Sequence, residues 1–155
     1  MALLGLALIL AGCGGHAAAK SQTVTGPDFR FEAPAGWKVT RQDGTVTAAD
    51  GTTLVRVQTF NLLKPYKHAL LGRATRELDG DAAKLAAALS AKIAARATLA
   101  VAGHDARMYT LAYGKNRQQI TFVLDGSREY ELICKIDSAK AASACAQLAS
   151  TFSLT

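Results

Sequence analysis

The stretch Phe29-Arg30-Phe31-Glu32-Ala33-Pro34-Ala35-Gly36-Trp37 determines how the rest of this sequence is interpreted. Apolar and charged residues alternate over its first four positions, which is the period of a strand with one face in a core. Pro-Ala-Gly at 34–36 is typical of a turn, after which Trp37-Lys38-Val39 continues as an extended segment. We therefore expect a region of β-hairpins at the start of a folded domain.

Asp-Gly pairs separate further strand-like segments downstream. They occur at 43–44, 50–51 and 125–126, and Asp-Gly accepts the positive φ angles of tight hairpin turns. The segment 45–48 is predicted to pair with the longer segment 52–60. After a helical region we predict four consecutive strands, at 99–102, 106–113, 118–124 and 129–136.

Helical spacing of apolar residues predicts three helices. Pro65 suits the first turn of a short helix that is interrupted at Asp79-Gly80. Asp81 is the predicted N-cap of a second helix, which runs to Ala97. Its apolar row consists of Leu85, Leu89 and Ile93, backed by Ala82 and Ala86. Its opposite row consists of Lys84, Lys92 and Arg96. The third helix is C-terminal and is capped by Ser138, with an apolar face of Ala141, Cys145, Leu148, Ala149 and Phe152.

The first residues predict an export signal. Residues 1–12 are uncharged and mostly apolar, too short to span a bilayer and typical of a signal peptide. They end in Leu10-Ala11-Gly12-Cys13, which resembles the bacterial lipobox, whose cysteine receives a lipid. The alternative is a buried N-terminal helix with a chance cysteine, but Gly14-Gly15 and the alanines that follow favour a tether. A signal peptide normally begins with positive charge, so we expect the translation start upstream of Met1. We predict a signal peptide at 1–12, lipidated Cys13 with a flexible tether at 13–27, and one domain at 28–155.

Positive charge is concentrated in the middle of the sequence. Of the net +6, eight basic and three acidic residues between 56 and 96 contribute +5. For an exported protein, anionic lipid headgroups or cell-wall polymers are better partners than nucleic acid. We predict that Lys84, Lys92 and Arg96 contact an anionic surface at the outer face of the cell membrane. The alternative is a solvent-facing row that keeps the protein soluble.

The three cysteines divide between two roles. Cys13 is assigned to the lipid, and Cys134 and Cys145 are predicted to form a disulfide in an oxidising compartment. Cys134 belongs to the apolar face of the last long strand and Cys145 to the apolar face of the C-terminal helix, and these faces are expected to meet. The histidines show no metal-ligand spacing, so we predict no metal and no cofactor.

The opening stretch resembles the F-x-F-x-x-P-x-x-W start of the PsbP-like superfamily. The block Val101-Ala102-Gly103-His104-Asp105-Ala106-Arg107 and the ending Ser150-Thr151-Phe152-Ser153-Leu154 are similar to it as well. The resemblance implies an α+β fold, an α/β/α sandwich built on an antiparallel sheet. The superfamily includes extrinsic photosystem proteins, a Ran-binding protein and many bacterial lipoproteins. Its characterised members act mainly in binding or assembly, and the fold itself implies no activity.

The residue patterns that accompany common catalytic sites are missing from the sequence. There is no GxSxG, Walker loop or GxGxxG. Glu129 and Glu131 share one strand face as a possible carboxylate pair, but Lys135 on that face favours a salt-bridged surface. Arg107, Tyr109 and Tyr113 share another face, where tyrosines are usually packed under a helix.

These patterns predict a membrane-anchored, extracytoplasmic, non-catalytic binding or accessory module of the cell envelope. The alternative is a carrier or sensor of a small amphipathic ligand, held between the sheet and the helix with Leu85. An enzyme such as a cell-wall hydrolase is a third and weaker interpretation. An apolar cavity under that helix favours the carrier, whereas a filled core with an exposed apolar patch favours docking of an envelope protein.

Overall fold

The computed structural model describes residues 20–155, so the predicted signal peptide and Cys13 lie outside the described residues. Within residues 20–155 the chain forms ten strands, one 3-10 turn (His68–Leu70) and two α-helices. None of the helices in this part of the chain is long and apolar enough to cross a membrane. The strands and helices are β1 Ser21–Thr25, β2 Phe29–Pro34, β3 Lys38–Gln42, β4 Thr45–Asp50, β5 Thr53–Asn61, α1 Leu71–Ala88, β6 Lys92–Val101, β7 His104–Tyr113, β8 Asn116–Asp125, β9 Arg128–Ile136, α2 Ala139–Thr151 and β10 Ser153–Leu154.

Two antiparallel sheets organise these elements. The larger sheet has the order β3-β4-β5-β9-β8-β7-β6, and the smaller has the order β1-β2-β10. Helix α1 packs over β6 and β7 on one face of the larger sheet, whereas α2 packs against β9, β5 and β2 on the other. The small sheet lies on the α2 side, because the side chains of β2 share a core with those of β5 and β9. The predicted α+β sandwich is confirmed.

The main core fills the space between the larger sheet, α2 and the small sheet. It contains alternate residues of β2, β5 and β9, such as Phe31, Val57 and Leu132, each at most 2% exposed. Phe29, Tyr130 and Phe152 pack together, with ring centroids 5.7–6.1 Å apart. Each large apolar side chain buried in this way contributes about 1.5–3 kcal/mol to folding. The apolar residues of the opening stretch therefore form part of the main core.

The C-terminal helix is present where the sequence predicted it. Ser138 caps α2, and its hydroxyl oxygen accepts a hydrogen bond of 3.1 Å from the backbone N–H of Ala141. The helix buries Ala141, Cys145 and Leu148 against the sheet. The Asp43-Gly44 turn is present too, and both residues have positive φ angles, 46° and 76°, as a two-residue hairpin requires.

The predicted division of residues 65–97 into two helices is wrong. One helix, α1, runs through Asp79-Gly80 and ends at Ala88, so the predicted helix from Asp81 to Ala97 does not exist. Its buried row is Leu78, Ala82 and Ala86, whereas Leu85 and Leu89 are 36% and 44% exposed. The helix is closed by Ser90 at a φ of 51°, with hydrogen bonds from Ser90 N to Ala87 O and from Ala91 N to Ala86 O.

Residues 92–101 form a strand because they pair with β7 along their whole length. The register runs from Lys92 opposite Ala112 to Val101 opposite His104, with one irregularity near Ile93. The alanines of this segment favour a helix locally, and the ladder of backbone hydrogen bonds to β7 outweighs that preference.

The folded domain begins earlier than predicted. The segment 13–27 was expected to be a tether, yet residues 21–25 form β1 and pair with β2. Val24 of this strand is 1% exposed and belongs to the main core. Because Val24 is buried in the main core, β1 is part of the folded domain.

Candidate functional site: a cleft between the first helix and the sheet

A cleft opens where α1 stops covering the larger sheet. Because α1 lies over β6 and β7, the same face of β8 and β9 is left partly open beside it. Two adjoining cavities occupy this place, an outer one of about 230 Å³ and an inner one of about 250 Å³, and both are lined by Leu78, Asp81 and Glu129. Small-molecule pockets typically have volumes of about 300–1,000 Å³, and the two cavities together fall within that range.

The floor of the cleft is apolar. Alternate residues of β7 and β8 point toward α1, among them Tyr109, Leu111, Ile120 and Phe122, all buried. The helix contributes Leu78, Ala82 and Leu85 as the opposite wall. Leu85 is partly exposed, which leaves the cleft accessible from its side.

Two carboxylates stand at the edge of this apolar floor. Glu129 and Glu131 lie two residues apart on β9, opposite Leu124 and Phe122 of β8. Both are half-buried, and within residues 20–155 neither forms an ion pair or a hydrogen bond. Burial raises the pKa of Glu129 to about 7, with smaller contributions from the negative charges of Glu131 and Asp81. Burial also raises the pKa of Glu131.

The expectation that Lys135 neutralises these glutamates is wrong. The ammonium of Lys135 lies 3.7 Å from a carboxylate oxygen of Asp137, beyond the end of β9. Sequence reasoning had placed the two glutamates on one face but had not identified them as a site. The sequence did contain one signal for this site: the two glutamates lie on a strand among the apolar residues Tyr130, Leu132 and Ile133.

Other charges around the cleft are mostly paired. Asp81 accepts a hydrogen bond of 2.8 Å from Lys84, and Glu77 accepts one of 2.9 Å from Arg73. Lys64 lines the outer cavity from an exposed loop. The charged residues that line the inner cavity are three carboxylates, Asp81, Glu129 and Glu131, and no cationic side chain lines it.

A partly buried polar network joins α1 to the sheet next to the cleft. Asp79 of α1 accepts hydrogen bonds from Arg107 Nη2 at 2.9 Å and from the Tyr109 hydroxyl at 2.5 Å, both on β7. The Tyr109 hydrogen bond is the main cause of the lowered pKa of Asp79. Tyr109 is fully buried on the face of the sheet that α1 covers, as the sequence predicted for this tyrosine, and burial raises its pKa to about 12.

The outer end of the cleft is bounded by the loop between β5 and α1. Its Tyr66 donates a hydroxyl hydrogen bond to Asp105, which also lies 2.8 Å from His68 Nδ1. Burial raises the pKa of Tyr66 to about 12, and the bond to Asp105 adds to this shift. The backbone N–H of Leu62 bonds to Ser127 O at 2.8 Å, which joins the loop to the β8–β9 turn.

The predicted row of Lys84, Lys92 and Arg96 is not formed. Lys84 lies on α1 and pairs with Asp81, whereas Lys92 is the first residue of β6. Arg96 lies within β6 opposite Tyr109, on the α1 side of the sheet. The correction follows from the end of α1 at Ala88, which places two of the three residues on a strand.

The predicted meeting of Cys134 and Cys145 is confirmed, but the structure has two free thiols in place of the predicted disulfide. Both are buried, at 4% exposed each. The thiols are in hydrogen-bond contact, and this bond, with burial, raises the pKa of Cys134. The pair therefore fills part of the main core between β9 and α2.

Solved structures share this architecture. The solution structure of cyanobacterial PsbP (CyanoP) from Synechocystis superposes with a TM-score of 0.65 at 16% identity, covering 94% of this chain and 99% of CyanoP. A crystal structure from Bacteroides thetaiotaomicron superposes with a TM-score of 0.58 at 11% identity, covering 82% of this chain and 45% of that one. No protein-family model and no curated protein sequence matches the chain. The likeness shows the fold alone.

Proposed function

Because the chain has the PsbP-like fold and this fold leaves a cleft beside α1, we propose that the protein is an extracytoplasmic binding module held to a membrane by lipid on Cys13. Its ligand is a small amphipathic molecule with a positively charged group, bound in the cleft. This proposal joins the two functions that the sequence favoured, an accessory module and a carrier or sensor. It assigns no catalytic residue and no cofactor.

One observation carries the proposal: the carboxylates of Glu129 and Glu131 lie above an apolar floor and have no ion-pair or hydrogen-bond partner within residues 20–155. A half-buried carboxylate without a partner is costly, because burial disfavours the charged form, and the same burial raises the pKa of Glu129. A ligand whose apolar part lies on Leu111, Ile120 and Phe122 brings an ammonium or guanidinium group to Glu129 and Glu131. Such a charge-assisted contact supplies the partner that the protein itself does not provide.

The anchoring part of the proposal rests on the Leu10-Ala11-Gly12-Cys13 motif. Two acyl chains suffice for stable membrane anchoring. The Cys13→Ser protein is expected to appear in the soluble fraction or as an unprocessed precursor. Membrane-bound Cys13→Ser protein of mature size contradicts the anchor and leaves the cleft proposal intact.

Binding of three probes of equal chain length tests the cleft. We expect octylamine to bind, octanol to bind more weakly and octanoate not to bind, as measured by calorimetry at pH 8. The Glu129→Gln/Glu131→Gln protein is expected to lose octylamine affinity by at least about tenfold, or 1.4 kcal/mol. Glu32→Gln is the matched control, because Glu32 lies on β2 in the other sheet. Equal affinities for the three probes, or an unchanged affinity in the double variant, contradict the proposal.

A second candidate function, docking of an envelope protein, is favoured by an exposed apolar tip beside the outer cavity. Leu63 is fully exposed, and Phe60 and Leu70 are 45% and 43% exposed. A photo-crosslinking residue at 63 is expected to capture a defined envelope protein in cells, whereas one at 115 is not. Loss of that product in a Phe60→Ser/Leu70→Ser protein would assign docking to the tip.

A further inference from the structure

The chain enters the folded domain at one end of the sandwich. Lys20 O accepts a hydrogen bond of 2.9 Å from Ala35 N just before β1. Gln22 Nε2, on β1, bonds to Trp37 O at 2.8 Å, and Lys140 Nζ of α2 lies 5.8 Å from the Trp37 ring centroid. The start of β1, the β2–β3 turn and the start of α2 are therefore together. We call this the tether end.

The same end collects the termini of most strands of the larger sheet. Lys38 at the start of β3 pairs with Ala49, near the β4–β5 turn. Thr53 Oγ1 of β5 bonds to Asp137, which follows β9. Arg117 of β8 pairs with both Ile136 and Ala112, and Ala112 pairs with Lys92 at the start of β6. The tether end thus runs across the whole width of the sheet.

Nearly all of the net charge lies at the tether end. Its acidic residues are two, Asp50 and Asp137, and its basic residues are seven: Lys20, Lys38, Lys92, Lys115, Arg117, Lys135 and Lys140. This gives the tether end +5, while the remaining eleven basic and ten acidic residues of the chain give +1. The seven basic residues are spread over positions 20 to 140 of the sequence. It is the fold that brings them together at the tether end.

Most of this charge is available to a partner. Lys140 pairs with Asp50 at 2.5 Å and Lys135 with Asp137 at 3.7 Å. The other five basic residues are exposed, and none of them has an ion-pair partner within residues 20–155. Paired charges cancel at a distance, whereas unpaired ones attract an anionic surface within a Debye length of about 8 Å at physiological salt.

We propose that the tether end lies against the anionic surface of the membrane in which Cys13 is anchored, with the outer opening of the cleft directed away from it. This orientation rests on the proposed anchor. The lipid brings the domain to the bilayer at the end where β1 begins, and polybasic surfaces bind anionic headgroups. The outer cavity, lined by Leu62 and Leu124, lies at the opposite end of the strands, near the β8–β9 turn.

The test uses the mature protein purified from membranes, in which the mass of the N-terminal peptide shows whether Cys13 carries a lipid. A fluorophore is placed at Ala142→Cys at the tether end or at Ser127→Cys in the β8–β9 turn, both exposed positions. The protein is inserted into phosphatidylcholine vesicles with or without phosphatidylglycerol, and quenching by a nitroxide-headgroup lipid is measured. With phosphatidylglycerol we expect quenching at 142 to exceed quenching at 127 by at least about threefold. Salt at 1 M, where the Debye length is about 3 Å, is expected to remove the difference.

Two charge-matched variants decide between a local and a general effect. Lys38, Lys92 and Lys115 changed together to Gln should abolish the difference in quenching. Lys64, Lys67 and Arg76 changed together to Gln should preserve it. Equal quenching at the two positions, or the same loss in both variants, overturns the proposal. Stronger binding to poly(glycerol phosphate) than to vesicles would assign the surface to a polymer and overturn it too.

Failure of the anchor is recognised separately. A peptide mass without lipid on Cys13 contradicts the anchoring part of the proposed function and leaves the cleft proposal intact. Sedimentation of that protein with phosphatidylglycerol vesicles then tests the tether end: loss of sedimentation in the first variant and not the second supports it, and no sedimentation overturns it.

Discussion

Glu129 occupies an environment that its charged form does not favour. It lies at the edge of the apolar cleft, and burial raises its pKa from 4.5 to about 7. Between these pH values the folded state keeps a proton that the unfolded state has lost, so stability falls as the pH rises through this window. A purely structural role would lead to the opposite expectation, that removing the charge lowers stability.

We predict that Glu129→Gln stabilises the folded protein at high pH. A pKa raised from 4.5 to about 7 corresponds to about 3 kcal/mol above pH 7, and because the cleft is open to solvent we expect about 1–2 kcal/mol. Urea unfolding at pH 8 should show this gain, and at pH 4, where the glutamate is neutral in both states, the gain should vanish. Glu32→Gln is the control of opposite sign, since hydrogen bonds from Thr23 and Ser21 lower the pKa of Glu32. A loss of stability in Glu129→Gln at pH 8 contradicts this interpretation.

At the residue scale the sequence indicated which side chains share a face more reliably than which of them form pairs. The period of a strand places Glu129 and Glu131 together, and this was predicted. The partner of Lys135 depends on the path of the chain after β9, where Asp137 lies closer than Glu131. The ion-pair partner of Lys135 is therefore determined by the turn that follows β9 and not by the two-residue period of the strand.

Helix α1 shows how a long-range contact changes an element. Asp79-Gly80 was expected to break the helix, but the Asp79 carboxylate is held by Arg107 and Tyr109 of β7, and α1 continues through it. Local sequence carries no information about this contact, because the partners lie 28 and 30 residues away. The strands of the Asp-Gly hairpins, whose turns are local, were predicted to within about three residues at each end.

Replacement of Asp79 by Asn should loosen α1. The substitution leaves the Arg107 guanidinium, 15% exposed, without its carboxylate, and we expect a loss of about 1–3 kcal/mol in the free energy of unfolding at pH 7. The pKa of Asp79 is lowered in the folded state, so its contribution should disappear as the pH falls below the ordinary value of an aspartate. Hydrogen exchange of α1 should rise in the variant. Unchanged exchange and stability would contradict the assigned role.

The end of α1 offers a separate test. Ser90 has a φ of 51°, a conformation in which glycine carries no steric penalty. We predict that Ser90→Gly raises the stability by about 0.5–1 kcal/mol, measured by urea unfolding. Ser143→Gly is the control, because position 143 is exposed and lies inside α2, where glycine should cost about 0.5–1 kcal/mol. Destabilisation by both substitutions would contradict the closing conformation.

At the scale of the whole molecule, the distribution of charge is the property that the sequence represented least well. Counting along the chain assigned the excess to residues 56–96, whereas the fold gathers it at the tether end from positions between 20 and 140. The small sheet was not predicted from the sequence either. Its middle strand, β2, pairs with β1, which was expected to be part of a tether, and with β10, which lies more than a hundred residues away. The order of the meander could be predicted from alternation and turns, and the sandwich class was what the resemblance to the PsbP-like superfamily implied.

The cleft and the tether end give the two ends of the larger sheet different charge. The basic end holds five of the six net charges, and the unpaired carboxylates lie toward the other end of the sheet. If both proposals hold, we expect a cationic amphipathic ligand to bind away from the anionic membrane surface, which competes for the same molecule. We expect this separation of a module that takes a ligand from, or presents it to, the region beyond the membrane.

The pKa of Glu129 in the presence of octylamine tests the central claim most directly. The pH titration of its side-chain carboxyl carbon is followed by NMR, with the protein free and then saturated with octylamine. We predict that saturation lowers the pKa of Glu129 from about 7 by at least one pH unit, because a ligand that binds the carboxylate tenfold more tightly than the neutral acid shifts it by that amount. Resonances of Leu111 and Phe122 should move in the same titration. An unchanged pKa, with octylamine bound or unbound, contradicts the claim that this cleft recognises a cationic amphipathic ligand.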